Sequence, residues 1–411
     1  MNIIRDPALA VSGRRKIEWA RSYMTVLNEI EKDFRVRQPF KGVKITTSVH
    51  MEAKTACLAL TLAAGGAEVH ATGCNPLSTQ DDVAAALAEM GVNVYAVYGV
   101  EMDEYDKHLR AALAAKPHLV LDDGGDLTEI LHKETALRQN LIGATEETTT
   151  GVHRLYARER AGALQFPVVA VNDADMKHLF DNRYGTGQST WDALLNTTNI
   201  QVCGKTVVVA GYGWCGRGVA LRGAGLGANI IVTEIDPVKA IEAVSDGFRV
   251  MTMDKAAPLG DFFITVTGCN DVIVERHFKQ MKDGAILANV GHFDVEIDMK
   301  WLYANAAEVI VRRENIEGFR LKDGRVVNVI AEGRLANLAA GNGHPVEIMD
   351  MSFAVQALAL ELVLNEGKGW KNEVIPVPHE IDERVSALKL NALDMKIDVL
   401  TAEQKKYMEM F

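Results

Sequence analysis

The sequence lacks paired cysteines. Its five, Cys57, Cys74, Cys203, Cys215 and Cys269, lie far apart with no C-x-x-C pair. That argues against a disulfide framework or a cysteine-built zinc site and fits a reducing cytoplasm. A basic stripe is also missing. Lys and Arg total 44 against 55 Asp and Glu, a formal charge of −11, so an electrostatic grip on nucleic acid is not expected. The longest apolar run, Ala56 to Ala67, is too short to cross a bilayer. Met1 to Trp19 is charged throughout and has no apolar h-region, so neither a membrane span nor a signal peptide is expected. No repeat or low-complexity tract occurs. What remains is 411 residues, 48% hydrophobic and 24% charged, the balance of a soluble globular protein of two or three domains at roughly 150 residues each.

Periodicity organises the chain. Arg14 to Arg35 reads as one amphipathic helix, with Ile17, Tyr23, Leu27 and Ile30 among charges. Strands are expected at Val43 to Val49, Glu68 to Ala71, Val94 to Val97 and Leu119 to Leu121. Helices at Lys54 to Ala64 and Thr79 to Met90 separate them. This alternation predicts a parallel sheet with helices on both faces. A second alternating run begins at Lys205, with strands at Val207 to Ala210, Ile230 to Thr233, Phe262 to Val266 and Ala285 to Val290. The fold class is therefore α/β: two doubly wound parallel-sheet domains meeting at a cleft. Three short periodic segments from Ile375 onward suggest a small C-terminal helical extension.

Gly211-Tyr212-Gly213-Trp214-Cys215-Gly216 follows one of these strands and opens a helix. Gly211 permits the tight turn, Gly213 lets a pyrophosphate approach the backbone, and Gly216 lets helix pack on strand. The helix N-terminus then favours the phosphate charge. Glu234 ends the next strand, 18 residues past Gly216. A carboxylate there accepts both ribose hydroxyls of NAD and repels the 2′-phosphate of NADP. Strand, loop, helix and acid together predict a Rossmann NAD domain.

Polar clusters mark probable strand ends in the first half: Ser48 to Glu52, Asn75 to Asp82, Asp122 to Asp126 and Glu146 to Gly151. Open α/β sheets bind ligands at that edge. Each cluster also has a purely structural reading. The Thr148 to Thr150 run can cap a helix, the aspartates can form turns, and His50 can be a satisfied core histidine. Lys177 and Asp181 are four apart and share a helix face. They are either an ordinary ion pair or a base for an alcohol, with the lysine's proton affinity lowered by a neighbouring nicotinamide cation. His292 follows the strand Ala285 to Val290, where it would face a nicotinamide.

These stretches together resemble the S-adenosylhomocysteine hydrolase family over nearly the whole chain. The matches run in order: Ser78-Thr79-Gln80-Asp81, Leu121 to Leu127, Glu146 to Val152, Phe180-Asp181-Asn182, Val209 to Gly213, Thr233 to Pro237, Gly291 to Asp298 and Ala331 to Leu335. The resemblance implies a cytoplasmic homotetramer of the methyl cycle. It implies one NAD per subunit, no metal, and reversible cleavage of adenosylhomocysteine to adenosine and homocysteine. In the implied reaction the ribose 3′-hydroxyl is oxidised, which acidifies C4′; the 5′ thiol is eliminated, water adds, and C3′ is reduced again. It implies a substrate domain over 1–182 and 343–375, an NAD domain over 183–342, and an oligomerisation extension over 376–411.

By the same resemblance, Lys177 with Asp181 serves the 3′ oxidation and Glu147 binds the ribose hydroxyls. His50 and Asp123 serve acid–base steps near C4′ and C5′, while Asn182 and His292 orient the reacting groups. Glu52, Lys54, Thr55, His344, Met349 and Phe353 line the substrate pocket. Thr148, Thr149, Thr150, Gly211, Gly213, Gly216, Glu234, Asn289 and Asn337 contact NAD. Three departures stand out. Thr186 replaces a usual cysteine. The chain stops at Phe411 without the family's common Lys-Tyr tail, so weaker cofactor retention is expected. Finally, His50-Met51-Glu52-Ala53-Lys54-Thr55 puts a cation where the family has the acceptor for the adenine amino group. Lys54 either faces a keto base, making the chain an S-inosylhomocysteine hydrolase, or turns to Glu52. The rival outside this class is a simple NAD-dependent dehydrogenase. A nucleotide sensor without activity would be expected to lose Lys177, Asp181 or His292.

Overall fold

A computed structural model describes residues 2–408; Phe411, on which the expectation of a shortened tail rests, lies outside them. The first sheet contains β1 (Lys44–Ser48), β2 (Glu68–Thr72), β3 (Asn93–Tyr95), β4 (Leu119–Asp122), β5 (Gly143–Glu146) and β6 (Val168–Ala170). The second contains β7 (Thr206–Ala210), β8 (Asn229–Thr233), β9 (Arg249–Val250), β10 (Phe262–Thr265), β11 (Ile286–Asn289), β12 (Glu308–Arg313), β13 (Ile316–Arg320) and β14 (Val326–Ile330). A last strand, β15 (Val374–Pro376), returns to the first sheet beside β6. The orders are β15-β6-β5-β4-β1-β2-β3 and β12-β13-β14-β11-β10-β7-β8-β9. All pairings are parallel except those that β13 makes with β12 and β14.

Strand composition follows from burial on both faces. Leu119, Leu121 and Val169 enter one core of the first domain, and Val120, Val168 and Ala170 the other. In the second domain Val207, Val209, Phe262 and Ile264 face one core, and Val208 and Phe263 the opposite one. The period of two thus sorts successive side chains between two helical layers.

Strands β5, β6, β9 and β12–β15 were not read from the sequence, and the antiparallel β12–β14 make the second sheet mostly rather than wholly parallel. Three further elements differ from the sequence reading. The expected single helix over 14–35 is two, Ala10–Tyr23 and Thr25–Arg37. The cause is remote: buried Asp350 accepts from the backbone N–H groups of Val26 and Leu27 at 3.1 and 2.8 Å and starts the second helix. Strand β3 ends at Tyr95, short of Val97. The tail carries the expected helical extension, as the helices His379–Ala392 and Ala402–Met408, but opens on a strand. Pro376 completes β15, and the helix His379–Ala392 packs on Val346–Glu366 and Thr25–Arg37 of the first domain, where Asp382 caps the turn at Asp175.

Candidate active site

In each sheet the chain winds to one side and then crosses to the other, leaving a crevice at the carboxyl ends of the two strands flanking the switch. In the first sheet those strands are β1 and β4, so Val49-His50 and Asp123-Gly124 face the crevice. In the second they are β7 and β10, which place Gly211 and the Val266-Thr267-Gly268 loop there. The two crevices face each other across one cavity of about 1670 Å³. Gly124 marks their contact. Its φ of +103° and the His292 Nε2 atom, 2.6 Å from where a Cβ would stand, both require glycine.

On the first-domain side, His50 Nδ1 lies 2.6 Å from Ser78 Oγ and its Nε2 3.7 Å from Asp123 Oδ2. Burial keeps His50 below its ordinary pKa, against the pull of Asp123, so the imidazole is neutral. Beside it, Lys177 is buried and donates to Asn182 Oδ1 at 2.8 Å and Asn172 Oδ1 at 3.3 Å. Its Nζ lies 3.7 Å from Glu147 and 3.8 Å from Asp181. Burial opposes its charge, but Asp181 and then Glu147 outweigh that and raise its pKa. The protein alone therefore does not lower the lysine's proton affinity; a cation beside it would have to. Glu147 shows the converse: burial lifts it to about 8 although Lys177 opposes the shift. Asp181 is buried too, yet Lys177, His344 and the Ser352 hydroxyl hold it below the usual carboxylate range.

On the second-domain side, a Cβ on Gly216 would fall 2.0 Å from the Gly211 carbonyl oxygen, so helix and loop pack at glycine distance. Gly216 does not line the cavity; Gly211 and Gly213 do. Glu234 accepts from the backbone N–H of Tyr212 at 2.6 Å and of Ile235 at 2.7 Å. Asn337 donates to Ser189 at 3.0 Å while its Oδ1 is buried without a partner. An open glycine turn, a carboxylate and an unsatisfied amide oxygen along one wall fit a dinucleotide with ribose hydroxyls. Asn289 does not join this wall. Its side chain holds the Gly291–Phe293 backbone, at 2.9 Å from Gly291 N–H and 2.8 Å from the Phe293 carbonyl oxygen.

Thr148 caps the helix Thr149–Arg160, and Thr149 Oγ1 donates to Asn172 at 3.1 Å. Thr148, Thr149 and Thr150 all line the cavity between the domains, as do Thr55, His344, Met349 and Phe353. Thr186 touches His344 Nε2 at 3.3 Å and Cys215 Sγ at 3.5 Å. Lys54 Nζ sits 3.0 Å from Glu52 Oε2 and donates to the Asn342 carbonyl at 3.2 Å, with both side chains buried. Sequence reasoning missed Ser352, Gln356 and Glu296. Gln356 donates to Glu147 at 2.5 Å. Glu296 gathers Thr267 N–H, Thr267 Oγ1 and Gly268 N–H and so fixes the loop after β10. Ser352 and Gln356 left a signal: two polar residues four apart on a helix otherwise apolar from Phe353 to Leu360.

The comparisons agree with this geometry. The family model described as "S-adenosyl-L-homocysteine hydrolase, NAD binding domain" matches residues 182–343, and that described as "S-adenosyl-L-homocysteine hydrolase" matches residues 2–142. The chain is 56% identical over 408 residues to the S-inosyl-L-homocysteine hydrolase of Methanopyrus kandleri, covering 99% of this chain and 96% of that one. It is 55% identical over 410 residues to the adenosylhomocysteinase of Thermococcus kodakarensis, with 99% and 97% covered. It is 54% identical over 407 residues to the S-inosyl-L-homocysteine hydrolase of Methanocaldococcus jannaschii, with 99% and 98% covered.

Proposed function

The chain belongs to the S-adenosyl-L-homocysteine hydrolase family, and from that premise we propose that it catalyses the NAD-dependent, reversible hydrolysis of S-adenosyl-L-homocysteine to adenosine and L-homocysteine. One observation carries the reading: a buried lysine–carboxylate cluster and a glycine-lined NAD wall face each other across one cavity. Bound NAD supplies reversible oxidation at the ribose 3′ carbon and is regenerated within each turnover.

The remaining work falls to side chains of this protein. Glu147, held by Gln356, accepts from the ribose hydroxyls. Lys177 takes the 3′-hydroxyl proton once a cation lies nearby, with Asp181 and Asn182 fixing the ammonium. His50, neutral and with Nε2 towards Asp123, moves protons near C4′ and the 5′ sulfur. His292 closes over Gly124 and orients the reacting groups. Thr148, Thr149, Thr150, Gly211, Gly213, Glu234 and Asn337 bind NAD. Residues 1–182 with 343–375 form the substrate domain, and 183–342 the NAD domain. A cytoplasmic homotetramer completes the reading. Self-association within it is supported by apolar side chains left exposed on 393–408, among them Ile397 and Val399, and by Ile235 and Val238 beside Glu234.

The base is tested directly. Lys54 offers a charged donor at the pocket, which suits the keto oxygen of an inosyl substrate; its pairing with Glu52 and Asn342 occupies that donor and leaves adenine acceptable. Purified protein without added cofactor is given each thioether and the nucleoside product identified. Adenosine and homocysteine, with no net NADH, are expected. Stoichiometric NADH release would instead identify a dehydrogenase, and turnover of the inosyl thioether alone would move the substrate to inosine.

A further inference from the structure

We propose that His50, Cys74 and Asp123 form a binding site for a soft divalent cation such as Zn²⁺, and that its occupation shuts the active site. The proposal rests on the reading above only for the second clause. The three residues follow β1, β2 and β4 and converge at the first-domain crevice. One donor atom from each lies within 4.8 Å of the other two. Cys74 Sγ is 3.2 Å and His50 Nε2 3.7 Å from Asp123 Oδ2. Tetrahedral zinc, with bonds of about 2.0–2.3 Å, sets its nitrogen, sulfur and oxygen ligands roughly 3.3–3.8 Å apart.

The hydrogen-bond chain says which lone pairs are free. With the Ser78 hydroxyl hydrogen on the Asn75 carbonyl at 3.0 Å, Ser78 Oγ accepts at 2.6 Å from His50 Nδ1–H. In that tautomer Nε2 turns a bare lone pair towards the Asp123 carboxylate. Two acceptors facing each other call for a proton or a cation between them. The other Asp123 oxygen, Oδ1, is buried with no hydrogen-bond partner at all. Ser78 also acts as the outer partner that orients a metal-binding histidine. Coordination would displace the Cys74 thiol proton to solvent, leaving a thiolate on the metal. The fourth position opens to the cavity, where a water can enter. The cation would occupy the nitrogen and oxygen that move protons in the reaction, so metal and nucleoside exclude one another.

The test uses the NAD-loaded full chain with Co²⁺ as a spectroscopic probe. One Co²⁺ per chain with a thiolate-to-cobalt absorption band is expected. Zn²⁺ should displace it and inhibit turnover, and EDTA should restore activity. Saturating adenosine should expel the cobalt. Loss of even an outer partner typically weakens metal binding 10–100-fold, so removal of a ligand in Cys74→Ser should weaken it by at least about tenfold and erase the band. Replacing the exposed Cys269 by Ser should leave the band intact. A band that survives Cys74→Ser, or disappears with Cys269→Ser, would overturn the site. Should Cys74→Ser not fold, the unaltered enzyme decides: a cobalt spectrum that saturating adenosine does not move also overturns it. Cobalt binding as expected in a protein that hydrolyses neither thioether would reject the functional reading and keep the site.

Discussion

The two switch points obey the same topological rule and solve opposite problems. At the second, most polar groups are held: Glu234 takes backbone N–H groups, Glu296 takes the Thr267-Gly268 loop, glycines leave space, and Asn337 Oδ1 alone among those described above stays unpartnered. It is a shaped surface that a ligand can enter with little rearrangement. At the first, ionisable groups are buried against one another, and Glu147 Oε1 and Asp123 Oδ1 lack a hydrogen-bond partner. Buried, unsatisfied groups cost stability. On the proposed function, NAD is held mainly by shape at the second switch point, and acid–base work falls mainly to buried ionisable groups at the first.

Lys177→Ala should break that division most sharply. Formation of the reduced bound cofactor should slow by about 10²-fold or more, the usual scale of acid–base catalysis, while NAD content after gel filtration stays near that of the parent. Single-turnover absorbance measures the first and extraction the second. Near-normal reduction would return Lys177 to an ordinary ion pair. Gly216→Ala is the mirror experiment. The added methyl meets backbone, which cannot swing away. Overpacking of this kind costs about 1–3 kcal/mol. NAD affinity, measured calorimetrically on stripped protein, should fall roughly fivefold to 150-fold. Unchanged affinity would mean that the helix shifts freely and that the glycine is dispensable.

The division also explains what the sequence revealed. The second site is local: three glycines and an acid within residues 211–234 declare strand, turn, helix and cofactor before any tertiary contact is known. Four strands of each sheet were legible, because period and alternation are local properties; β5, β6 and β15 in the first sheet and β9 and the antiparallel β12–β14 in the second were not. The first site is spread from His50 to Gln356, and motif resemblance located its charged members. Their holders, Ser352 and Gln356, lie on a helix whose apolar character hid them. Asn289, expected to contact NAD, lies off the cavity wall and holds the Gly291–Phe293 loop. The break at Met24 could not be read locally at all. Its cause, Asp350, is more than 300 residues away in sequence.

Lys54→Gln asks whether the first domain reads the base by charge. A mismatched buried polar group costs about 1–3 kcal/mol, and the Glu52 pairing shares the ammonium, so a shift near the lower end is expected. The ratio of kcat/KM for adenosyl over inosyl thioether should rise by about tenfold. The same ratio in both proteins would assign base choice to backbone groups.

The smallest effect concerns the carboxyl pair behind the reacting groups. Asp122 and Glu146 are register neighbours on β4 and β5. Asp122 accepts from Thr128 N–H at 2.7 Å, and Glu146 Oε1 from Gly124 and Thr148 N–H at 2.9 Å each, while Glu146 Oε2 has no partner. Burial lifts Asp122 to about 7. Burial and then the charge of Asp122 lift Glu146 well above its ordinary value. Unfolded carboxyls ionise near 4, so from there to about pH 7 and beyond the folded pair binds a proton that the unfolded chain has lost. Stability must therefore fall as pH rises through that window. Glu146→Gln removes a titrating member. Its amide oxygen still accepts from the Gly124 and Thr148 donors, and its NH₂ stands where Oε2 had none. Urea unfolding between pH 5 and 8 should then show a shallower decline than the parent, with the variant gaining ground towards pH 8. An unchanged slope would mean that the pair is solvated and holds no proton in the folded protein.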